Sequence, residues 1–499
     1  MKSNLHIIVS FCSLFWFHSI GQNIDTYGPF PKIPTDQFNF SYLTESYILL
    51  NKYNVIGDTP NLTRKNNWYH SIGLNSNSTV NSTNIKGSTG SKPGSVFKAF
   101  FTDKYIVEFI DFAAGATSNV GIGALKRDPF TFEIIADLKI VDEKIQYSPN
   151  NPNINIQQTS KGYVYTRVID DHCLVSYLDT DFNELQTVTL KDEPTITKTA
   201  SLLFYPFIEV NEKDELIIVK IVNISKDQSS FDFHITAVNP DGEVVEMNPN
   251  LKKGFPVKNM HINYSSDNKL FEGIFYWSIP PVMKGTKIDQ AGKDGYHYII
   301  WDENENKLVD FSKEFTIDDV CGEHKDALIK KYSEKKLGED ILSNFESSII
   351  LSSDEENYLI INRLSWTPEL MKSTFIVKID KNGKQAWSKM LFSNTENPVT
   401  NFGLTANKDL RILLGDFIST NRDDEHQPDI FAKQNSKELS SFFEIVIGKK
   451  DGELIKNNLL HLNLPEGSKL VSIVSNKNHS KYLMETLFNN QEFFSVISF

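Results

Sequence analysis

Runs of alternating apolar and polar residues recur along the chain, and short polar turns separate neighbouring runs. Val, Ile, Leu, Phe and Tyr dominate the runs, whereas the turns hold Asp, Asn, Lys, Ser and Gly. This pattern predicts antiparallel strands joined by tight turns. A second kind of turn closes each unit, as in NPDGE at 239–243 and DKNGK at 380–384. Asn-Gly and Asp-Gly favour type I′ hairpins, so we expect positive φ at both central residues.

Seven such units follow one another, and their first strands begin near 95, 153, 203, 259, 347, 401 and 470. A period of about 40–50 residues with four strands per unit is typical of β-propeller blades. We therefore predict an all-β chain folded as a β-propeller of seven four-stranded blades. The last unit has only three strands before Phe499, so an N-terminal strand should close the ring. Tyr47 to Leu50 (YILL) is the best candidate for that strand.

The N-terminus has the pattern of a signal peptide, because Lys2 precedes an apolar run from Leu5 to Phe17 and Ser19-Ile20-Gly21 offers a cleavage site. The run is too short to span a bilayer as a membrane anchor. We predict a signal peptide at 1–21, a single propeller domain at 22–499, and a secreted, periplasmic or cell-surface location. Within the domain, the Ser-, Thr-, Asn- and Gly-rich segment 75–95 is expected to be a flexible loop. Helix formers at 318–344 predict a helical insertion.

Composition narrows the class of partner. The net charge of −13 argues against nucleic acid, which needs a basic patch. Two cysteines, Cys173 and Cys321, follow the predicted signal peptide, and the apolar surroundings of Cys173 favour two separate thiols over a disulfide. Nothing predicts a transmembrane segment after signal cleavage, and we expect a monomer.

The long segments of the chain fall on one side of the predicted ring. Turns between the first and second and between the third and fourth strands of a blade share one rim, here named the turn rim. Connections between second and third strands, and links between blades, share the opposite rim, here named the loop rim. The long segments 113–122, 278–294, 318–344 and 419–440 all belong to the loop rim. Because loops carry function in such scaffolds, we predict that the loop rim binds the ligand. The candidate binding residues are Trp277, Trp366, Asp170, His172, Asp424 and His426.

Each candidate has a structural alternative. Trp277 and Trp366 end second strands and are suited to stack on a sugar or a peptide, but packing against a neighbouring blade explains them as well. Asp170-Asp171-His172 and Asp423-Asp424-Glu425-His426 offer metal or acid–base chemistry, yet solvated turns are the favoured interpretation of both.

Two further motifs resemble parts of metal sites. Cys321-Gly322-Glu323-His324 is at most half of a zinc site, and a helix N-terminus explains the same residues. Asp179, Asp181 and Asn183 imitate the start of a calcium loop, but Glu184 replaces the required Gly, so we interpret the segment as a hairpin. No metal site and no cofactor is predicted; Ca²⁺ is chemically possible but has no specific support.

One unit carries a family resemblance. The segment FIVKIDKNGKQAWSKMLF at 375–392 resembles the blade repeat of quinoprotein-like and related secreted bacterial β-propellers, through Asp380, Gly383 and Trp387. The resemblance implies the propeller fold and a location outside the cytoplasm. It does not carry over quinone binding, because the quinone ligands have no counterparts here.

No HExxH, GxSxG or strand-linked GxGxxG motif occurs, and no catalytic triad can be assembled. The sequence therefore favours a secreted, non-enzymatic scaffold that binds a protein, peptide or glycan through its loop rim. The alternative is a carboxylate-dependent hydrolase or lyase acting at the mouth of the central channel, which would need acids that converge there.

Overall fold

A computed structural model describes most of the chain. The described residues are 23–31, 38–56, 63–74, 79–85, 88–89, 92–113, 119–146, 154–169, 172–191, 207–224, 231–248, 257–279, 282–284, 287–290, 292–333, 345–353, 356–363, 373–392, 399–416, 441–465, 468–476 and 479–499.

Within these ranges the strands form eight antiparallel sheets, numbered here as blades 1 to 8, and one two-stranded extension. The first described strand is β1 (Asn23–Pro31). Blade 1 holds β2 (Phe38–Leu43), β3 (Tyr47–Ile56), β4 (Thr63–Gly73) and β5 (Thr79–Ile85), and blade 2 holds β6 (Ser88–Thr89), β7 (Lys92–Phe101), β8 (Ile106–Ala113), β9 (Asn119–Arg127) and β10 (Ile134–Gln146). Blade 3 holds β11 (Ile154–Gln158), β12 (Gly162–Ile169), β13 (His172–Asp179) and β14 (Glu184–Lys191), and blade 4 holds β15 (Phe207–Val210), β16 (Leu216–Ile224), β17 (Phe231–Val238) and β18 (Val244–Met247).

Blades 5 to 8 continue the same order, and blade 5 carries the extension β21–β22 between its second and third strands. Blade 5 and its extension hold β19 (Val257–Ser265), β20 (Leu270–Ile279), β21 (Val282–Lys284), β22 (Lys287–Gln290), β23 (Lys293–Asp302) and β24 (Lys307–Glu314), and they are followed by α1 (Ile317–Cys321), a 3₁₀ turn (Gly322–His324) and α2 (Lys325–Tyr332). Blade 6 holds β25 (Phe345–Ser353), β26 (Glu356–Arg363), β27 (Ser373–Ile379) and β28 (Gln385–Phe392), and blade 7 holds β29 (Val399–Leu404), β30 (Leu410–Asp416), β31 (Ser441–Ile447) and β32 (Leu454–Leu460). Blade 8 holds β33 (Lys469–Ser475), β34 (Lys481–Phe488) and β35 (Gln491–Ser498) together with β1.

The predicted all-β propeller is confirmed, but the described strands form eight blades instead of seven. A buried apolar cluster fills each of the eight junctions between successive blades, including the junction of blade 8 with blade 1. First strands of neighbouring blades contact one another, as β11 contacts β15 and β29 contacts β33. The first strands therefore line the axis, and the fourth strands form the perimeter.

An N-terminal strand closes the ring as predicted, but it is not the one that the sequence favoured. β1 pairs with β35 and becomes the outermost strand of blade 8. The Tyr47 to Leu50 segment lies instead in β3, the second strand of blade 1, where all four side chains are buried. A run that is apolar on both faces suits a strand inside a sheet better than a strand at its edge.

Blade 1 is the unit that sequence analysis missed. Its strands β2 to β5 span residues 38–85 and occupy part of the chain that precedes the first predicted unit. The segment 75–95, expected to be a loop, contains β5, β6 and the start of β7. Ser and Thr are compatible with strands when the neighbouring strand supplies the partners for their backbone, so composition alone misjudged this stretch.

The Gly-containing turns have a different geometry from the one predicted. In the turn at 239–243, Gly242 donates to the carbonyl of Asn239 at 3.0 Å, and only Gly242 has positive φ, at 87°. Gly383 takes the same place in its turn, with a φ of 79°, whereas Gly452, with a φ of 73°, donates to the carbonyl of Gly448 in a connection that is one residue longer. Each connection ends with a left-handed glycine before the next strand, so the type I′ expectation was wrong here.

Within the predicted insertion at 318–344, the described residues 318–333 include α1, the 3₁₀ turn and α2. Thr316 caps α1 through the backbone N–H of Asp319, and the Asp319 carboxylate accepts in return from the backbone of Thr316. Val320, Cys321 and Leu328 are buried in the cluster between blades 5 and 6. The helices therefore fill the groove between two blades.

Candidate functional site

Trp277 lies inside blade 5. Its side chain is 1% exposed, and a methyl group at Gly295 on the neighbouring strand β23 would collide with the indole. The glycine thus makes the room that the ring occupies. The expectation that Trp277 is exposed at the loop rim is not met; the contact described here is within its own blade, and packing against a neighbouring blade stays an interpretation.

Of the other five candidate residues, one lies within the described residues and four lie outside them. His172 is the first residue of β13, half-buried, and its register partners are Ile169 and Lys191. Asp170, Trp366, Asp424 and His426 lie outside the described residues. The loop-rim cluster predicted from the sequence therefore stays a prediction.

The calcium-like motif is a hairpin turn, as interpreted from the sequence. One carboxylate oxygen of Asp179 accepts the backbone N–H groups of Asp181 and Asn183, both at 2.8 Å. Asp181 pairs with Lys126 of blade 2 at 2.6 Å. The side chains that would have to face a calcium ion are instead used to form the turn and to join blades.

The zinc-like motif is also explained by packing. Cys321 is 1% exposed at the end of α1, and neither it nor Cys173, which is also buried, forms a disulfide. In the part of the chain that the structure describes, no three or more His, Cys, Asp or Glu residues are grouped in a way that could hold a metal ion. Among the same residues, no helix is long and apolar enough to cross a membrane.

Polar groups on the turn rim form hydrogen bonds both between neighbouring blades and between the turns of one blade. The backbone N–H of Ser160 donates to the Asp214 carboxylate at 2.6 Å, joining blades 3 and 4. The backbone N–H of Lys449 donates to Asp409 at 3.0 Å inside blade 7. At the closure, Asn476 of blade 8 donates to Glu45 of blade 1 at 2.8 Å. Many polar turn residues are thus already engaged within the protein.

Amide side chains on the innermost strands, or directly after one in the case of Asn211, form a second set of links around the axis. Asn211 donates to the carbonyl of Tyr264 at 2.9 Å, Asn259 to that of Ser348 at 2.7 Å, and Asn401 to that of Ile473 at 3.2 Å. In each case the amide belongs to one blade and the carbonyl to the next. Since the carbonyl is a backbone group, the link fixes the spacing of the inner strands and does not depend on the partner's side chain.

The loop rim carries the described extension of blade 5. β21 and β22 pair in antiparallel fashion beyond the ends of β20 and β23. Val282 in β21 is 50% exposed, comparable to apolar residues on perimeter strands such as Leu308 at 57% and Ile455 at 61%. The extension, here named the arm, is an insertion between β20 and β23 that forms a sheet of its own.

Two ion pairs are buried at junctions between blades. Lys378 of blade 6 contacts the Glu356 carboxylate, and its ammonium lies over the ring of Tyr358, 4.6 Å from the centroid. Burial and the charge of Lys449 lower the pKa of Lys378 to about 8. At the junction of blades 7 and 8, Arg411 donates to the Glu444 carboxylate at 3.1 Å. Each carboxylate also contacts a second lysine, and an aromatic ring covers each buried cation, which suits a structural role.

A cleft with a volume of about 430 Å³ lies between blades 2 and 3. Its walls are β10, the perimeter strand of blade 2, and β12 to β14 of blade 3. Asp142 contacts Arg167 at 2.9 Å and accepts a hydrogen bond from the hydroxyl of Tyr165 at 3.1 Å. Burial and the Asp142 charge raise the pKa of Tyr165, so this hydroxyl keeps its proton. Sequence analysis did not find the cleft because its residues come from separate strands and share no motif.

No family model matches the chain, and no curated protein matches it. Solved structures with a similar fold include the β-propeller domain of the Trilobed protease from Pyrococcus furiosus, which is 9% identical with a TM-score of 0.36 over 86% of this chain and 97% of that one. Dihydro-heme d1 dehydrogenase is also 9% identical, with a TM-score of 0.36 over 86% of this chain and 75% of that one. An acylaminoacyl peptidase from Pyrococcus horikoshii is 10% identical, with a TM-score of 0.35 over 90% of this chain and 57% of that one. At these values the likeness is one of fold and nothing more, and the chain is a β-propeller with distant structural neighbours among propeller domains.

Proposed function

We propose that this propeller is a binding scaffold that presents its loop rim to a protein, peptide or glycan. The observation that carries the proposal is the arm β21–β22, a structured insertion in the connection between the second and third strands of blade 5, on the loop rim. Connections of this kind commonly carry the binding function of a rigid scaffold. The turn rim offers a contrast, since the contacts of Ser160 and Asn476 there serve the ring itself.

The experiment replaces the arm. Residues 282–290 are exchanged for a short Gly-Ser linker, and the parent and the variant are screened on peptide and glycan arrays. We expect the parent to bind at least one class of ligand and the variant to lose that binding while its melting temperature stays unchanged. Asn382→Ala, an exposed position in a turn on the opposite rim, is the matched control and should bind like the parent.

Two results would contradict the proposal. One is ligand binding that Asn382→Ala abolishes and the arm replacement leaves intact, which would move the functional face to the turn rim. The other is turnover of an arrayed glycan or peptide, which would favour the rival function, a carboxylate-dependent hydrolase or lyase at the channel mouth. Within the described residues, no observation favours that rival.

Export is a separate proposal. Residues 1–22, which hold the predicted signal peptide, lie outside the described residues. N-terminal sequencing of protein from the producing cell tests it: we expect a terminus at or near Gln22, whereas an intact Met1 would contradict export by this segment.

A further inference from the structure

The cleft between blades 2 and 3 has the construction of a small-molecule site. β10 leaves the register of β9 at four places, so the perimeter strand of blade 2 is irregular although it stays paired with β9 from Ile134 to Gln146. Bulges of this kind re-aim side chains, and they are common next to binding sites. The resulting volume of about 430 Å³ lies within the range of ligand pockets, roughly 300–1,000 Å³.

The floor of the cleft is polar and held in place. The side chains of Asp142 and Arg167 are 15% and 14% exposed, and they contact each other through both carboxylate oxygens. Tyr165 donates to the same carboxylate. A charged pair that is shielded from water and further hydrogen-bonded keeps a fixed geometry, so it can orient a ligand without moving.

The mouth and walls add both hydrogen-bonding and apolar surface. Lys139 donates to Asn183 and to the carbonyl of Asp181, and Glu184 is exposed at the same edge. Leu178 is buried in the wall, whereas Ile140 is 42% exposed at the mouth. A ligand here meets donors, acceptors and an apolar patch together.

The charges select the class of ligand. Two cations, Lys139 and Arg167, face two anions, Asp142 and Glu184, so the ionised lining is neutral overall. Both cations already have acceptors, and an anion would have to displace a carboxylate or an amide to reach them. A neutral molecule with many hydroxyl groups can instead donate to the carboxylates, accept from the cations and place its C–H surface on the apolar patch.

We propose that the cleft between blades 2 and 3 binds a neutral sugar of monosaccharide to disaccharide size, oriented by the Asp142–Arg167 pair and closed at the mouth by Glu184. This site is separate from the loop rim and does not depend on the function proposed for it.

The test is calorimetric titration of the full mature chain with glucose, galactose, mannose, N-acetylglucosamine, maltose and lactose, each to about 10 mM, and with inorganic phosphate. We expect saturable one-site binding of at least one sugar. Glu184→Gln, which is exposed and leaves the buried pair intact, should weaken it about tenfold, since one charge-assisted hydrogen bond is lost. Glu212→Gln, an exposed glutamate in a turn of blade 4, should bind like the parent.

Three results would overturn the proposal. The first is that none of the six sugars binds. The second is that phosphate binds in their place, which would assign the cleft to anions. The third is that a sugar binds equally to Glu184→Gln but is lost when residues 282–290 are replaced, which would place the sugar on the loop rim and leave the function proposed there intact.

Discussion

The side-chain amide of Asn476 donates a hydrogen bond to the Glu45 carboxylate at 2.8 Å, although 431 positions separate the two residues in the chain. Lys481 reaches the other oxygen of the same carboxylate at 2.6 Å. These contacts join the last blade to the first at the turn rim, where the backbone of Glu45 also donates to Asp103 of blade 2 at 2.8 Å. Glu45 therefore links three successive blades across the closure.

Removing this link should weaken the ring. Asn476 is 6% exposed and also accepts from the backbone N–H of Lys481, so Asn476→Ala removes bonds on both sides of the closure, and we expect a loss of about 1–3 kcal/mol in the free energy of unfolding. A double-mutant cycle with Glu45→Ala isolates the pair, and we expect a coupling of about 0.5–1.5 kcal/mol from denaturant melts. Lys213→Ala, which breaks the exposed pair with Asp267, is the control. A coupling near zero would show that the contact does not hold the closure.

Substitutions in β1, the strand that closes the ring, should lower stability only on the face that packs against the core. Ile24 packs against the apolar cluster between blades 7 and 8, whereas Asp25 is exposed. Ile24→Asp places a charge against that cluster, so we expect earlier unfolding and aggregation through the freed edge of β35. Asp25→Asn should melt like the parent. Scanning calorimetry measures the melting of both variants. If they melt at the same temperature, β1 does not contribute to the core.

Trp277 should matter for stability. Because its indole is buried against Gly295 in blade 5, Trp277→Ala leaves a cavity, and we expect a loss of about 3–5 kcal/mol. Leu308→Ala, at a position 57% exposed on the perimeter of the same blade, should change stability by less than about 0.5 kcal/mol. A Trp277→Ala protein that melts like the parent but fails to bind a ligand would restore the surface role predicted from the sequence.

Acid should destabilise the junction of blades 7 and 8 through His479. Burial and the charge of Arg411 hold the pKa of His479 below its usual value of 6.5. The folded state therefore favours the neutral ring, while the unfolded chain protonates near pH 6.5. The contribution of this group to stability is complete above about pH 6.5 and is lost as the pH falls below it.

Urea melts from pH 8 to about pH 5 measure this effect. His479 has a φ of 53°, which Asn tolerates, so His479→Asn removes the titration with little backbone cost. We expect a shallower fall in stability below pH 6.5 in this variant than in the parent. Parallel curves for the two proteins would show that other groups cause the acid dependence.

Sequence analysis found the strands that have a clear apolar run between polar turns and missed those that lack one. The inner strands of seven blades begin within a few residues of the predicted positions, because polar turns bracket apolar runs there. β1 escaped notice because NIDTYGPFP holds Gly and Pro and pairs on one side only, so it lacks an apolar run. The buried YILL of β3 gave the stronger signal and was assigned to the closure in its place.

The candidate site was less predictable than the fold. The sequence identified Trp277 as an aromatic residue near a loop, but its burial depends on Gly295 in a different strand. The Asp142–Arg167 pair joins two blades and has no local signature. Contacts between sheets are set by the geometry of the ring, and the local pattern of apolar and polar residues does not specify which side chains meet there.

The most direct test of ring closure by the N-terminal strand is a cross-link between β1 and β35. The hydroxyls of Thr26 and Ser495 lie 3.2 Å apart on paired strands, so Thr26→Cys with Ser495→Cys places two thiols side by side. Asp25→Cys with Ser495→Cys is the control, because side chains of adjacent residues in a strand point to opposite faces. Under mild oxidation, followed by peptide mapping without reduction, we expect an intramolecular disulfide in the first variant and not in the second. A first variant that stays reduced, or that cross-links only between two molecules, would contradict closure of the ring by its own N-terminal strand.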